Sequence, residues 1–212
     1  MLCFNWSEFV SMASKGGVVV AKQEMTKMWI DDKFVAVTLA KVLPQEIIRY
    51  KTQERDGYSA VVVGVEKKEL NKEKGQKLVY DMVTEFPIDE SFASAYEAGK
   101  SFDVSLLEGV SSLTVTGMSK GKWYQGLVKR CNIKGGPATH GHKFSRAWGS
   151  KGNRKPRRTM KWHPHAWHMG SEQLTLKKIP LLNIMEKDGA RFLIVKGSLP
   201  GARNGKLKCF VE

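Results

Sequence analysis

The chain has 212 residues, of which 42% are hydrophobic and 26% charged, and its formal net charge is +14. This hydrophobic content excludes wholesale disorder, and no apolar run approaches the ~20 residues that a membrane-spanning helix needs. Cys3, Cys131 and Cys209 lie far apart without a Cys-x-x-Cys pair. Cysteines spaced in this way predict a protein of a reducing compartment, without a disulfide framework and without a zinc knuckle.

The elements predicted from the sequence are mostly short strands. Valine-rich or alternating segments predict strands at 18–21, 34–43, 47–53, 58–65, 78–86, 101–107, 113–116, part of 123–129, 173–179, 190–196 and 206–211. Asp56-Gly57 and Asp188-Gly189 are typical turn signals, and Trp29 is expected in the core. The charged stretch 66–77 reads as a loop, and 91–98 as one or two helical turns. Many short strands with almost no helix predict a barrel or a sandwich.

The positive charge is concentrated in one segment. Residues 109–171 contain 13 Lys or Arg and no Asp or Glu, whereas residues 1–108 carry a net −3 and residues 172–212 a net +4. Solvent-exposed protein surfaces usually carry positively and negatively charged side chains side by side. Exclusion of carboxylates over 63 residues therefore indicates a partner that repels them, and a phosphate backbone is the commonest such partner.

Within this segment, residues 131–170 lack the alternation of apolar and polar residues that predicts β-strands. Six glycines and three prolines exclude a long helix, yet the stretch also holds Phe144, Trp148, Trp162 and Trp167. Aromatic rings among cations suit an arm that nucleic acid orders, with guanidinium groups on phosphates and rings on bases. We therefore predict an RNA-binding arm at 131–170.

All five histidines lie in this arm, which raises a zinc-site alternative. His163 and His165 belong to one of its two His-x-His pairs. The arm holds no carboxylate, and Cys131 is its one thiol. Apart from its histidines, the arm therefore offers few ligands for a metal ion, and it has no carboxylate to hydrogen-bond and orient ligating histidines. No Ser-His-Asp unit or phosphate loop is evident. A zinc-dependent nucleic-acid hydrolase stays open as the alternative function, and a free RNA chaperone or DNA binder is a weaker one.

The predicted RNA-binding residues are cations, histidines and tryptophans of the acid-free segment. They are Lys120, Lys122, Lys129, Arg130, Lys134, His140, His142, Lys143, Arg146, Trp148, Lys151, Arg154, Lys155, Arg157, Arg158, Lys161, Trp162, His163, His165, Trp167 and His168. No catalytic residue, metal ligand or cofactor is assigned, and we expect no enzyme activity and no small-molecule substrate.

Several runs of residues resemble one family. They are Thr-Val-Thr-Gly-Met-Ser-Lys-Gly-Lys at 114–122, Gly-Gly-Pro-Ala-Thr-His-Gly at 135–141, Gly-Ser-Lys-Gly at 149–152, His-Met-Gly at 168–170 and Leu-Ile-Val-Lys-Gly-Ser-Leu-Pro-Gly at 193–201. Together they resemble large-subunit ribosomal protein three, the universal L-three family, in its bacterial form. The resemblance covers about residues 17–208.

The resemblance implies a mainly β, β-rich α+β fold: a six-stranded Greek-key barrel of the translation-protein type with a small α+β insertion and a long irregular extension. By it, residues 17–212 form one barrel domain with the insertion at about 66–100 and the arm at 131–170. It further implies a cytoplasmic, ribosomal, non-enzymatic protein that binds large-subunit (23S-type) rRNA, helps nucleate assembly and extends the arm toward the peptidyl transferase centre. Neighbouring large-subunit proteins would be its protein partners, and no membrane partner is expected.

The chain also departs from the family pattern. Residues 1–16 have no family counterpart, and Met12 is an alternative start. Trp162 and Trp167 stand where the bacterial tip usually has glycines. Asn153 to Lys155 replace the stretch that carries a methylated Gln in some members, so that modification is not expected here.

Overall fold

The computed structural model describes residues 16–68, 79–88, 107 and 109–211. Strands dominate this part of the chain, and its two helices have four residues each, so the mainly β prediction is confirmed. Residues 1–15 of the predicted leader 1–16, residues 69–77 of the predicted loop 66–77, the helical turns at 91–98 and nearly all of the strand at 101–107 lie outside the described residues. Most of the predicted insertion at 66–100 does so too.

The elements follow one another as β1 (Gly17–Ile30), β2 (Lys33–Val42), β3 (Gln45–Lys51), α1 (Gln53–Asp56), β4 (Ala60–Lys68), β5 (Val79–Pro87), β6 (Ser112–Met118), β7 (Tyr124–Gln125), α2 (Leu127–Arg130), β8 (Trp167–His168), β9 (Gln173–Lys187), β10 (Ala190–Lys196) and β11 (Lys206–Val211). Six of them close into a barrel in the order β1-β11-β6-β9-β10-β2, with antiparallel neighbours throughout. Strands β3, β4 and β5 form a separate three-stranded antiparallel sheet.

One hydrophobic core serves both the barrel and the three-stranded sheet. The first residues of β1, Val18 to Ala21, are all buried rather than alternately buried, so this end of the strand is covered on both faces. Phe86 of β5 belongs to the same core and packs edge-on against Phe210 of β11, with ring centroids 5.3 Å apart. A Cβ at Gly17 would lie 2.5 Å from the Phe86 ring, so glycine lets the two sheets approach here.

The prediction that Trp29 belongs to the core is wrong. The β1–β2 hairpin is much longer than the predicted strand at 18–21, and from Glu24 onward most of its β1 residues are exposed. Trp29 lies near its tip, 57% exposed, and packs edge-on against Phe34 with ring centroids 4.6 Å apart. An apolar side chain was mistaken for a core residue because the sequence does not show where the core ends along a strand.

A cluster of ion pairs joins the barrel to the three-stranded sheet. Lys206 of β11 pairs with Asp81 of β5 and, at 2.6 Å, with Glu66 of β4, while Lys68 also pairs with Asp81. Hydrogen bonds from Lys206 and Lys68, together with their charges, lower the pKa of Asp81 to about 2.

This arrangement predicts an acid-dependent loss of stability. Asp81 is ionised in both the folded and unfolded states above its ordinary pKa of 3.8, and its ion pairs then contribute in full. As the pH falls from 3.8 toward 2, the unfolded state binds the proton first and the contribution is lost. Urea unfolding should show a steeper fall in free energy across this window for the unmodified chain than for Asp81→Asn. If the free energy of unfolding fell equally steeply with pH in both proteins, the ion pairs of Asp81 would not be the cause of the acid-dependent loss.

The chain divides into two compact units. One comprises Met1–Met118 and Gln173–Glu212 and is called the body; the other comprises Ser119–Glu172 and is called the extension unit. The extension unit is described in full and contains the predicted arm at 131–170, whose own boundaries stay a prediction. Among the described helices, none has the length and apolar character needed to cross a membrane.

Candidate nucleic-acid interface

The extension unit begins and ends in a paired stem. Backbone N–H groups donate from Ser119 to the Glu172 carbonyl (2.9 Å), and from Lys122 to the Met169 carbonyl (2.8 Å). The pairing continues into β7 and β8, where Tyr124 and Gln125 oppose 168 and 167. Residues 119–125 and 167–172 are therefore called the stem, from which the predicted arm extends.

A glycine makes this close pairing possible. Gly170 has φ of +77°, a left-handed conformation that favours glycine, and a Cβ there would lie 2.2 Å from the Lys120 carbonyl oxygen. Any larger residue would force the two sides of the stem apart. The Gly in the His-Met-Gly run therefore has a clear structural role.

Arg130 holds the returning chain rather than extending freely into solvent. It ends α2, and its guanidinium donates from Nε to the His168 carbonyl (3.0 Å) and from Nη1 to the His165 carbonyl (2.9 Å). The carbonyls lie 35 and 38 residues along the chain. Part of its donor capacity is thus used inside the unit, which assigns Arg130 a positioning role beside any contact with RNA.

The histidines at 163 and 165 form a small cluster with neighbouring side chains. The His163 ring lies between Trp148 and His165, with centroid distances of 5.8 and 5.5 Å. The Nζ of Lys151 is 2.9 Å from Nδ1 of His165. Partial burial, followed by the charges of Lys151, His163 and Arg130, lowers the pKa of His165 and so favours the neutral form of its ring.

This cluster does not fit a zinc centre. Among the described residues, no three His, Cys, Asp or Glu side chains are grouped closely enough to hold a metal ion. The ammonium of Lys151 also lies against the Nδ1 lone pair that a metal would need. The histidine pattern that raised the zinc alternative therefore places rings together without making a ligand set.

All 21 predicted RNA-binding residues lie in the extension unit. His163 and His165 are half-buried and the other 19 are exposed. Leu127 is the only buried residue between 119 and 172, all of which are described. The unit carries 13 Lys or Arg against the single carboxylate of Glu172, a net +12. An extended segment of exposed cations, with almost no apolar core of its own, is typical of proteins that follow a phosphate backbone.

Two exposed aromatic residues were missed by the sequence reasoning. Trp123 and Tyr124 lie on the stem, where the sequence predicted only part of a short strand. Their position beside Lys120 and Lys122, inside the acid-free segment, was the signal that could have identified them.

Curated relatives show the family. No protein-family model matches the chain. The large ribosomal subunit protein uL3 of Oceanobacillus iheyensis is 32% identical over 200 residues, covering 91% of this chain and 95% of the relative. The uL3 proteins of Deinococcus radiodurans and Borreliella burgdorferi are each 36% identical, over 89% and 88% of this chain and 91% and 94% of their own lengths. The chain therefore belongs to the large ribosomal subunit protein uL3 family, which consists of structural proteins rather than enzymes.

Proposed function

We propose that this protein is a structural constituent of the large ribosomal subunit and that its extension unit binds large-subunit (23S-type) rRNA directly. The observation that carries the proposal is the charge of that unit: 13 exposed Lys or Arg within residues 119–172, with Glu172 the only carboxylate. The curated relatives described above are named as proteins of the large ribosomal subunit, which supports a partner in that subunit.

Three finer functions follow from the same proposal. The protein helps nucleate subunit assembly, it extends residues 131–170 toward the peptidyl transferase centre, and it contacts neighbouring large-subunit proteins. Supporting the second of these, the arm leaves a stem whose two sides are fixed by backbone hydrogen bonds at 2.8 and 2.9 Å. Such a stem gives an irregular segment a defined starting direction.

The body is proposed to be a Greek-key barrel of the translation-protein type. The strand order supports this, because β6, β9 and β10 are consecutive neighbours and β11 returns to lie beside β6. Three successive antiparallel strands followed by a fourth beside the first is the Greek-key arrangement.

Sedimentation of the tagged chain in its own host tests the proposal. We expect the full chain to co-sediment with large subunits in a sucrose gradient, and binding of purified chain to rRNA to weaken about 10³–10⁵-fold between roughly 50 and 200 mM salt if 6–10 phosphates are neutralised. Recovery at the top of the gradient, separate from ribosomal particles, would contradict it. Stoichiometric zinc that is lost on His163→Ala would instead favour a hydrolase.

A further inference from the structure

Three of the stem residues have exposed aromatic side chains. Trp123 is 82% exposed, Tyr124 57% and Trp167 65%. Trp123 and Tyr124 are adjacent in sequence, and the Tyr124 and Trp167 rings meet edge-on across the β7–β8 pair with centroids 6.5 Å apart. Large rings are normally buried, so three of them exposed within one short stem need a partner to explain them.

The backbone of Trp123 is also held in an unfavourable conformation. Its φ is +56°, in the left-handed region where a bulky side chain is an outlier. The stem fixes it there, because the Trp123 carbonyl accepts from the Met169 N–H at 3.0 Å and the preceding Lys122 N–H donates to Met169 at 2.8 Å. A tryptophan so exposed gains little packing to offset this cost. Strain of this kind is typical of binding sites.

The charges around the rings identify the partner. Lys120 and Lys122 are exposed in the same stem, and Glu172 is the only carboxylate within residues 119–172. Aromatic rings combined with cations and few carboxylates match nucleic acid, whose bases stack while its phosphates are neutralised. Because bases in a duplex are already stacked on each other, only unpaired nucleotides offer a free face.

We infer that Trp123, Tyr124 and Trp167 form a stacking platform for unpaired RNA nucleotides at the root of the extension unit, flanked by Lys120 and Lys122. The inference rests on the proposed rRNA binding and deepens it, since it names the form of RNA that the stem takes. It adds Trp123 and Tyr124 to the residues that contact RNA, at a place separate in the chain from the cluster around His163.

Binding of the full chain to two RNAs with the same number of phosphates tests the platform. One is a single-stranded oligoadenylate and the other a blunt hairpin duplex, each titrated at low salt. The key variant is Trp123→Gly, since glycine adopts the positive φ without cost and keeps the stem. Trp167→Ala removes a second ring, and Trp29→Ala, an exposed tryptophan of the body, is the matched control.

We expect Trp123→Gly and Trp167→Ala each to weaken oligoadenylate binding about 5- to 150-fold while the duplex affinity changes less than about twofold. Trp123→Phe should retain most of the binding and Trp29→Ala all of it. Equal losses on both RNAs, or no loss on either, would overturn the platform. So would unchanged RNA affinities combined with weaker co-sedimentation with large subunits, which would indicate a protein partner.

The two proposals fail in different ways. A full chain that binds neither RNA at low salt contradicts rRNA binding itself. A full chain that binds the duplex tightly and salt-dependently, with no effect of the stem variants on the single strand, leaves rRNA binding standing and overturns only the platform.

Discussion

Excision of the extension unit is expected to leave a folded body that binds rRNA at least about 10³-fold more weakly at low salt, with a much shallower salt dependence. Met118 and Gln173 are directly opposite each other in the β6–β9 pair, so an Asn-Gly turn can replace residues 119–172 and close the two strands as a hairpin. The change removes 13 Lys or Arg and one Glu, and the formal net charge falls from +14 to +2.

The measurement is filter binding to an rRNA fragment over a salt series, with circular dichroism to show that the excised chain keeps its β structure. The excised chain retains every strand of the barrel and of the three-stranded sheet. A lower affinity is then attributable to the lost cations rather than to unfolding. Binding as tight as that of the full chain, with the same slope against salt, would show that the body is the main RNA-binding surface.

A matched pair of double variants separates charge in the extension unit from charge in general. Arg157 and Arg158 are exposed and lie within residues 109–171, which contain no Asp or Glu. Lys67 and Lys68 carry the same charge, but they pair with Glu46 (3.2 Å) and Asp81 in the body. Replacing both arginines with Ala should reduce the salt slope by about 1.5, whereas replacing both lysines should leave it nearly unchanged.

Parts of the fold were predictable where hydrophobic alternation and turn signals agree. The strands at 190–196 and 206–211 match β10 and β11 residue for residue, and Asp188-Gly189 forms the predicted turn before β10. By contrast, β1 extends to Ile30 rather than ending at 21. Its outer half is exposed and lacks the apolar alternation by which a strand is recognised, and its pairing with β2 depends on residues elsewhere in the chain.

The sequence was enough to predict which segment carries the candidate site, but not how the side chains of that segment contact one another. Charge is a property that can be summed along the chain, and the acid-free segment lies almost wholly in one contiguous unit, so composition identified it. The contacts of Arg130 with carbonyls at 165 and 168, and of Lys151 with His165, join residues 14 to 38 positions apart. Nothing local in the sequence encodes such contacts. They distinguish the side chains that hold the backbone of the extension unit in place from the side chains that remain available to bind RNA.

The largest expected effect on stability is that of Phe86→Ala, which should lower the free energy of unfolding by about 3–5 kcal/mol. Phe86 is fully buried where β5 meets the barrel, with its ring against Phe210 and the backbone at Gly17. Truncation removes its transfer free energy and leaves a cavity, because flanking strands fixed by ladder hydrogen bonds relax only in part.

Urea unfolding followed by circular dichroism measures this loss, and Phe34→Ala is the matched control. Phe34 is the same residue type but is mostly exposed at the β1–β2 hairpin tip, where its ring contacts Trp29. Its truncation should cost no more than about 0.5 kcal/mol. Because Phe86 lies where the barrel and the three-stranded sheet share one core, its loss should weaken both together and shift a single unfolding transition. Two separated transitions in Phe86→Ala, or equal losses in the two variants, would show that the sheets are stabilised independently of this contact.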